Sequence, residues 1–172
     1  MRNIKKRALF FVVIALTVLS DQITKNMVRV GVIYGERSEL AGKTLILTRI
    51  ENTGAFLGFA SSFTPALRNA LLLGLPFALL LILILYFFLS QKTDLPITLF
   101  LGMITGGGLS NLYDRFVYGS VTDFLFIDLN FFKTGIFNVA DAAITVGIVL
   151  MFFYNVINRM RKPEEDSFSD IS

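Results

Sequence analysis

Cysteine and histidine are both absent from the 172 residues. That excludes a disulfide scaffold, a zinc site of the usual Cys/His kind, a cysteine nucleophile and a Ser-His-Asp triad. Charge is scarce as well. Only 17% of residues are Asp, Glu, Lys or Arg, where a soluble domain of this length carries about 25%. The net charge of +3 is too small and too dispersed for a nucleic-acid surface, so no nucleic-acid partner is expected. Any chemistry must run on carboxylates, lysine, hydroxyls or backbone, and neither a metal nor a cofactor is expected.

What the chain does have is hydrocarbon: 54% of residues are hydrophobic and the mean hydropathy is +0.67. A span needs roughly 20 apolar residues to cross about 30 Å of lipid. Four are expected, at about 8–30, 68–90, 95–115 and 137–158, in a single integral membrane domain, 1–172, of mainly α class. Ala70–Leu89 is uncharged, with Gly74 and Pro76 as an expected kink. Ala8–Ser20 is too short alone; it spans only by continuing through Asp21 and Lys25, which at i,i+4 neutralise each other on one helix face. The rival reading of residues 1–20 is a signal peptide with a basic start, an apolar stretch and a poor cleavage site at Val18-Leu-Ser20.

Basic residues set the expected orientation. Arg2, Lys5, Lys6 and Arg7 precede the first span, and Arg159, Arg161 and Lys162 follow the last, so both termini read as cytoplasmic. Gln91–Asp94 becomes an inner turn, and 163–172 an acidic, disordered cytoplasmic tail. Residues of about 31–66 and 116–136 become outer loops. Within them Thr44–Ile50, Ala55–Phe59 and Val121–Leu129 are β-prone, so a small extracytoplasmic sheet is expected on the outer helix ends.

On this topology Asp21, Lys25, Asn52, Asn111, Asp114, Arg115, Asp123, Asn138 and Asp141 all fall on the outer side. Ionisable groups at membrane depth are costly and usually face a bundle interior, so their convergence suggests one polar site. Structural readings stand beside this one. Asn138 and Asp141 are spaced as a helix-capping pair; Asp114-Arg115 reads as an interfacial anchor pair; Asp128 reads as a solvated loop charge. Gly102-Met-Ile-Thr-Gly106 is a GxxxG packing motif, and Gly106-Gly-Gly108 reads as packing, because no Lys-Ser/Thr follows to make a phosphate loop. Asp123 fits none of these, standing in an otherwise apolar, aromatic strand. If Asp123 and Asp141 meet, they share a proton and titrate as a coupled pair. Such a pair can activate water and polarise a carbonyl.

Five blocks carry a resemblance: Asp21-Gln-Ile-Thr-Lys25, Glu51-Asn-Thr-Gly-Ala-Phe-Leu-Gly-Phe59, Gly106-Gly-Gly-Leu-Ser-Asn-Leu-Tyr-Asp-Arg115, Val121-Thr-Asp-Phe124 and Phe137-Asn-Val-Ala-Asp-Ala-Ala-Ile144. In this order they resemble the lipoprotein signal peptidase (signal peptidase II) family of bacterial intramembrane aspartic proteases. The resemblance implies a catalytic dyad of Asp123 and Asp141. It implies a supporting or substrate-binding set of Asp21, Lys25, Asn52, Gly54, Asn111, Asp114, Arg115, Asn138 and Ala140. It also implies prolipoprotein substrates cut before an S-diacylglyceryl cysteine, inhibition by the cyclic peptide globomycin, contact with membrane lipid, and a location at the outer face of the bacterial cytoplasmic membrane. A monomer is expected. Ser110 departs from the family block, which usually has glycine there, leaving close helix approach at that point open.

Three other readings compete. A Ser-Lys peptidase would pair Ser20 with Lys25, but i,i+5 turns two side chains apart on a helix. A presenilin-like protease fits Tyr113-Asp114 but lacks a Gly-x-Gly-Asp partner. A small transporter or ion-binding bundle could use the same acids to hold a cation.

Overall fold

The computed structural model describes residues 2–54, 63–90 and 93–161. In chain order the elements are α1 (Arg2–Gly31), β1 (Arg37–Ala41), β2 (Leu45–Asn52), α2 (Pro65–Asn69), a π-helical turn (Ala70–Gly74), α3 (Leu75–Leu89), α4 (Leu95–Tyr118), β3 (Val121–Ile127) and α5 (Val139–Met160). Four helical stretches are long and apolar enough to cross a bilayer: Ile4–Gly31, Ala66–Leu89, Leu95–Tyr118 and Val139–Met160.

Local chemistry sets the helix boundaries. Asp94 opens α4 by accepting from the Ile97 amide at 3.0 Å. Gly119 closes it in the left-handed region, at φ +73°, where a side chain is disfavoured. The third span thus runs to Tyr118 rather than to about 115, because the stop signal is this glycine and not the polar Asp114-Arg115 pair. Similarly α1 already includes Arg2–Arg7, since the basic residues that flank the apolar run are good helix formers. The expected kink at Gly74 and Pro76 takes the form of the π turn. Proline has no N–H and crowds the carbonyl four residues back, and a widened turn just before it relieves both problems.

α4 is the central helix, and glycine is the reason. A Cβ at Gly102 would lie 2.9 Å from the Val13 Cβ, and one at Gly106 would lie 2.8 Å from the Thr17 Cβ, so the GxxxG motif seats α4 on α1. A Cβ at Gly107 would meet the Ala140 carbonyl oxygen of α5 at 2.5 Å; at Gly108 it would meet the Leu80 Cδ2 of α3 at 2.6 Å. The three-glycine run therefore faces three different helices in turn. Deeper in the bundle Phe10 stacks on Phe87 with ring centroids 4.0 Å apart, packed with Leu101. The helix surfaces turned away from these contacts carry exposed Phe11, Leu16, Leu79, Ile82 and Phe152, as suits side chains dissolved in lipid tails.

One end of the bundle is tied by Lys6 donating to the Thr93 carbonyl and Tyr154 donating to Asp94. At the other end lies a three-stranded antiparallel sheet in the order β1-β2-β3. β2 and β3 were expected from their β-branched content. β1 was not, because its five residues are all exposed and carry no apolar alternation. In the β2–β3 pair Leu47 faces Leu125 and Ile50 faces Asp123, so β2 holds one extra residue between these pairings. Such a bulge re-aims the side chains beside it. The expectations for Ala55–Phe59, for Gln91 and Lys92, and for the tail beyond Arg161 fall outside the described residues.

Candidate active site

The C-terminal half of α1 supplies a buried cation. Lys25 is fully buried, and its Nζ lies 2.6 Å from Asp21 Oδ2 and 2.8 Å from Asp114 Oδ2 while donating to Asn111 Oδ1 at 2.8 Å. Three partners match the three N–H groups of an ammonium. Arg29 adds a second cation, 3.1 Å from Asp114 Oδ1. Two cations thus face two carboxylates, Asp21 and Asp114, and the buried cluster is neutral. Burying these charges is tolerable only with such complete pairing.

Asp21 does more than neutralise Lys25. Its Oδ2 accepts from Ser110 Oγ at 2.7 Å, and its Oδ1 accepts from the backbone N–H of Ala140 at 2.8 Å. That amide is one of the unsatisfied donors in the first turn of α5, so a carboxylate of α1 caps a helix 119 residues away. Ser110, the departure from the family block, also accepts from Gln22 Nε2 at 2.9 Å. It is fully buried, and its hydroxyl ties α4 to α1 where glycine could only make room. Gln22 donates to Asp114 Oδ1 at 2.9 Å as well.

Asn138 caps α5 as the spacing implied. Its Oδ1 accepts from the Asp141 amide at 2.9 Å, and Asp141 Oδ2 accepts from the Asn138 amide at 3.3 Å, completing a capping box. The same Asn138 side chain turns its Nδ2 to Asp123 Oδ1 at 2.7 Å and to Asn111 Oδ1 at 3.2 Å. Asn111 Nδ2 then donates to Asp141 Oδ1 at 2.7 Å. Asp123 and Asp141 are therefore joined through two asparagine side chains, Asn138 and Asn111. Asp123 is completed from the sheet by Asn52 Nδ2, 3.0 Å from its Oδ2, while Asn52 Oδ1 accepts from the Gly54 amide at 3.2 Å.

Burial pushes the Asp123 carboxyl up to about 6, and the charge of Asp141 adds to the rise. Hydrogen bonds from Asn52 and Asn138 and the charge of Lys25 pull it down. A carboxyl in this condition can hold a proton near neutrality and still release it.

All eleven residues expected at the site are described, and they come together where the C-terminal halves of α1 and α4 and the N-terminus of α5 meet the β2–β3 end of the sheet. The reading of Asp114-Arg115 as an interfacial anchor pair does not hold, because Asp114 is fully buried. Asp114 and Arg115 are not an ion pair, because consecutive helix residues point about 100° apart; Asp114 pairs instead with Lys25 and Arg29. The Arg115 guanidinium is within Coulomb range of Asp141 and Asp123, and its hydrogen bond is a 3.4 Å contact to the Asn111 carbonyl. Asp128 sits apart from the cluster, paired with Lys133 at 2.8 Å. Ser20 is exposed while Lys25 is buried, which removes the Ser-Lys alternative. Among the described residues no three acids converge as metal ligands. Arg29, Arg49, Glu51 and Thr122, which the sequence reading left out of the site, form a second polar network behind Asp123.

Comparison with known proteins gives a consistent picture. The family model described as Signal peptidase (SPase) II matches residues 13–157. A lipoprotein signal peptidase of Methylocella silvestris is 37% identical over 150 residues, covering 86% of this chain and 85% of the relative. One from Aquifex aeolicus is 34% identical over 168 residues, covering 92% and 98% respectively. A solved structure described as a bacterial membrane enzyme superposes with a TM-score of 0.80 at 24% identity, covering 91% of this chain and 93% of the other. At that identity it speaks for the fold.

Proposed function

The chain belongs to the signal peptidase II family, and on that footing we propose that it removes the signal peptides of prolipoproteins by aspartic chemistry. It is a peptidase and a multi-pass bacterial membrane protein. The single observation that carries the aspartic reading is the junction of Asp123 and Asp141 through Asn138 and Asn111.

The two carboxyl groups share one proton. The ionised one takes a proton from water as the water oxygen attacks the scissile carbonyl carbon, and the protonated one gives its proton to the carbonyl oxygen. Collapse of the resulting gem-diol breaks the C–N bond, the amine leaves carrying a proton, and one proton remains on the pair. Both carboxyls sit where the α5 N-terminus, the buried Lys25 and the side-chain amides stabilise negative charge. Arg115, within Coulomb range of both, is suited to holding a substrate carbonyl.

The substrate bond lies just before a cysteine bearing diacylglycerol. A lipid-anchored substrate reaches a site at the ends of the spans without leaving the bilayer. Both termini are cytoplasmic, following the basic flanks, and the site faces outward in the cytoplasmic membrane. One chain holds all the site residues, so a monomer suffices, and globomycin competes for the same pocket.

The test is a gel-shift assay with a diacylated prolipoprotein and purified protein. Wild type converts the substrate, and Asp123→Asn and Asp141→Asn do not. Cleavage by either variant at the wild-type rate ends the aspartic reading.

A further inference from the structure

Consecutive side chains of a strand point to opposite faces, and the β2–β3 pair uses this to divide its labour. On one face, Asn52 meets Asp123. On the other, Glu51 and Thr122 stand directly opposite one another in register. Thr122 is fully buried. Its Oγ1 accepts from Arg29 Nε at 2.8 Å and lies 3.2 and 3.1 Å from the two Glu51 oxygens, to which it donates its proton.

Arg29 cannot drift. It pairs with Asp114 at 3.1 Å, its guanidinium lies 4.1 Å from the Tyr118 ring centroid, and its carbonyl accepts from Arg49 Nη1 at 2.7 Å. Glu51 is fixed from two further sides, by Arg49 at 3.2 Å and by Ser120 Oγ at 3.0 Å. The hydroxyl of Thr122 is therefore the point at which α1, β2 and β3 are fastened together, with α4 joined through Arg29, one residue from Asp123.

We propose that Thr122, held by Arg29 and Glu51, is a positioning residue for the reaction. It fixes the rotation of β3 about its own axis and so aims the Asp123 carboxyl at the Asn138–Asn111–Asp141 chain. The proposal rests on the aspartic reading above. It concerns geometry rather than charge, since Thr122 touches neither dyad carboxyl. A misplacement of the reacting group by about 1 Å costs on the order of a hundredfold in rate.

Thr122→Val keeps the side-chain shape and removes both bonds, whereas Thr122→Ser keeps the hydroxyl. With purified protein and a diacylated prolipoprotein, Thr122→Val is expected to lower kcat by roughly ten- to a hundredfold, with KM within about twofold. Thr122→Ser is expected to restore kcat to within about threefold of wild type. The proposal is overturned if Thr122→Val turns over at the wild-type rate. It is equally overturned if kcat falls only in step with the melting midpoint and Thr122→Ser does no better. Should Thr122→Val fail to fold in detergent, Arg29→Lys keeps the charge beside Asp114 without the fork that reaches Thr122, and is judged by the same outcomes. Asp123→Asn run alongside separates the two levels. An active Asp123→Asn removes the aspartic reading, whereas an inactive Asp123→Asn with an unimpaired Thr122→Val removes only the positioning role.

Discussion

Asn138 donates to Asn111 Oδ1 at 3.2 Å between the two acids, and each asparagine hands an amide proton to a different carboxylate at 2.7 Å. Asn138 also caps α5, so folding and the proposed catalysis are loaded on one side chain. The two roles separate by substitution. Asn138→Ala is expected to lose about 1 kcal/mol of stability with the cap and most activity with the contact to Asp123. Asn138→Ser retains a capping oxygen but no amide, so its melting midpoint should recover while its turnover should not. Parallel recovery of both would show that the Asp123 contact is dispensable.

Neutralising the dyad is expected to leave the protein folded. Asp123 is raised from the ordinary 3.8 to about 6, so the native state binds its proton more tightly than the unfolded chain does. Stability contributed by this group is full below about 3.8 and is lost as pH rises through about 6, by up to about 3 kcal/mol. Asp123→Asn removes that loss. Its melting midpoint at pH 7.5 should therefore equal or exceed that of wild type, with the advantage shrinking at pH 4. A midpoint well below wild type at pH 7.5 would mean that the ionised carboxylate holds the fold together.

The hydrogen bond from Asn52 favours the charged form of Asp123. Asn52→Ala should accordingly raise the Asp123 value further, moving the limb of the pH–rate profile that reports it upward by roughly one unit. The profile of kcat/KM against pH checks this, and an unchanged or acid-shifted limb contradicts it.

Lys25 and Arg115 should behave oppositely. Lys25→Met strands Asp21 and Asp114 in the interior with Arg29 as their remaining cation, a change of the kind that costs about 3–5 kcal/mol. Arg115→Ala strands neither, because Asp114 is held from α1. Thermal melting in detergent beside a cleavage assay is expected to show Lys25→Met unstable. Arg115→Ala should melt within a few degrees of wild type yet cleave poorly.

The site was legible where the sequence placed an expensive group in an inexpensive context. Asp123 in an aromatic strand has no soluble-protein explanation, and the capping spacing of Asn138 and Asp141 is local and so readable directly. What stayed hidden depends on partners far along the chain. Ser110 looked like a mere substitute for glycine, yet it bonds Asp21, 89 residues earlier. Arg29 read as an ordinary basic residue at a helix end, and Glu51 and Thr122 gain meaning only from a strand register that a bulge shifts by one. β1 escaped for a different reason: an exposed edge strand needs no apolar alternation, so nothing in its composition announces it.

The glycine run of α4 has a wider consequence. Because Gly106 and Gly107 abut the main chain of α1 and α5, and Gly108 the Leu80 side chain of α3, the azimuth of Asn111 and Asp114, one and two turns later, is set largely by close contacts inside the bundle. The greasy exterior is thereby uncoupled from the chemistry. Residues facing the acyl chains can be exchanged wholesale to match a thicker, thinner or stiffer bilayer, and the acids at the mouth of the bundle keep their bearings.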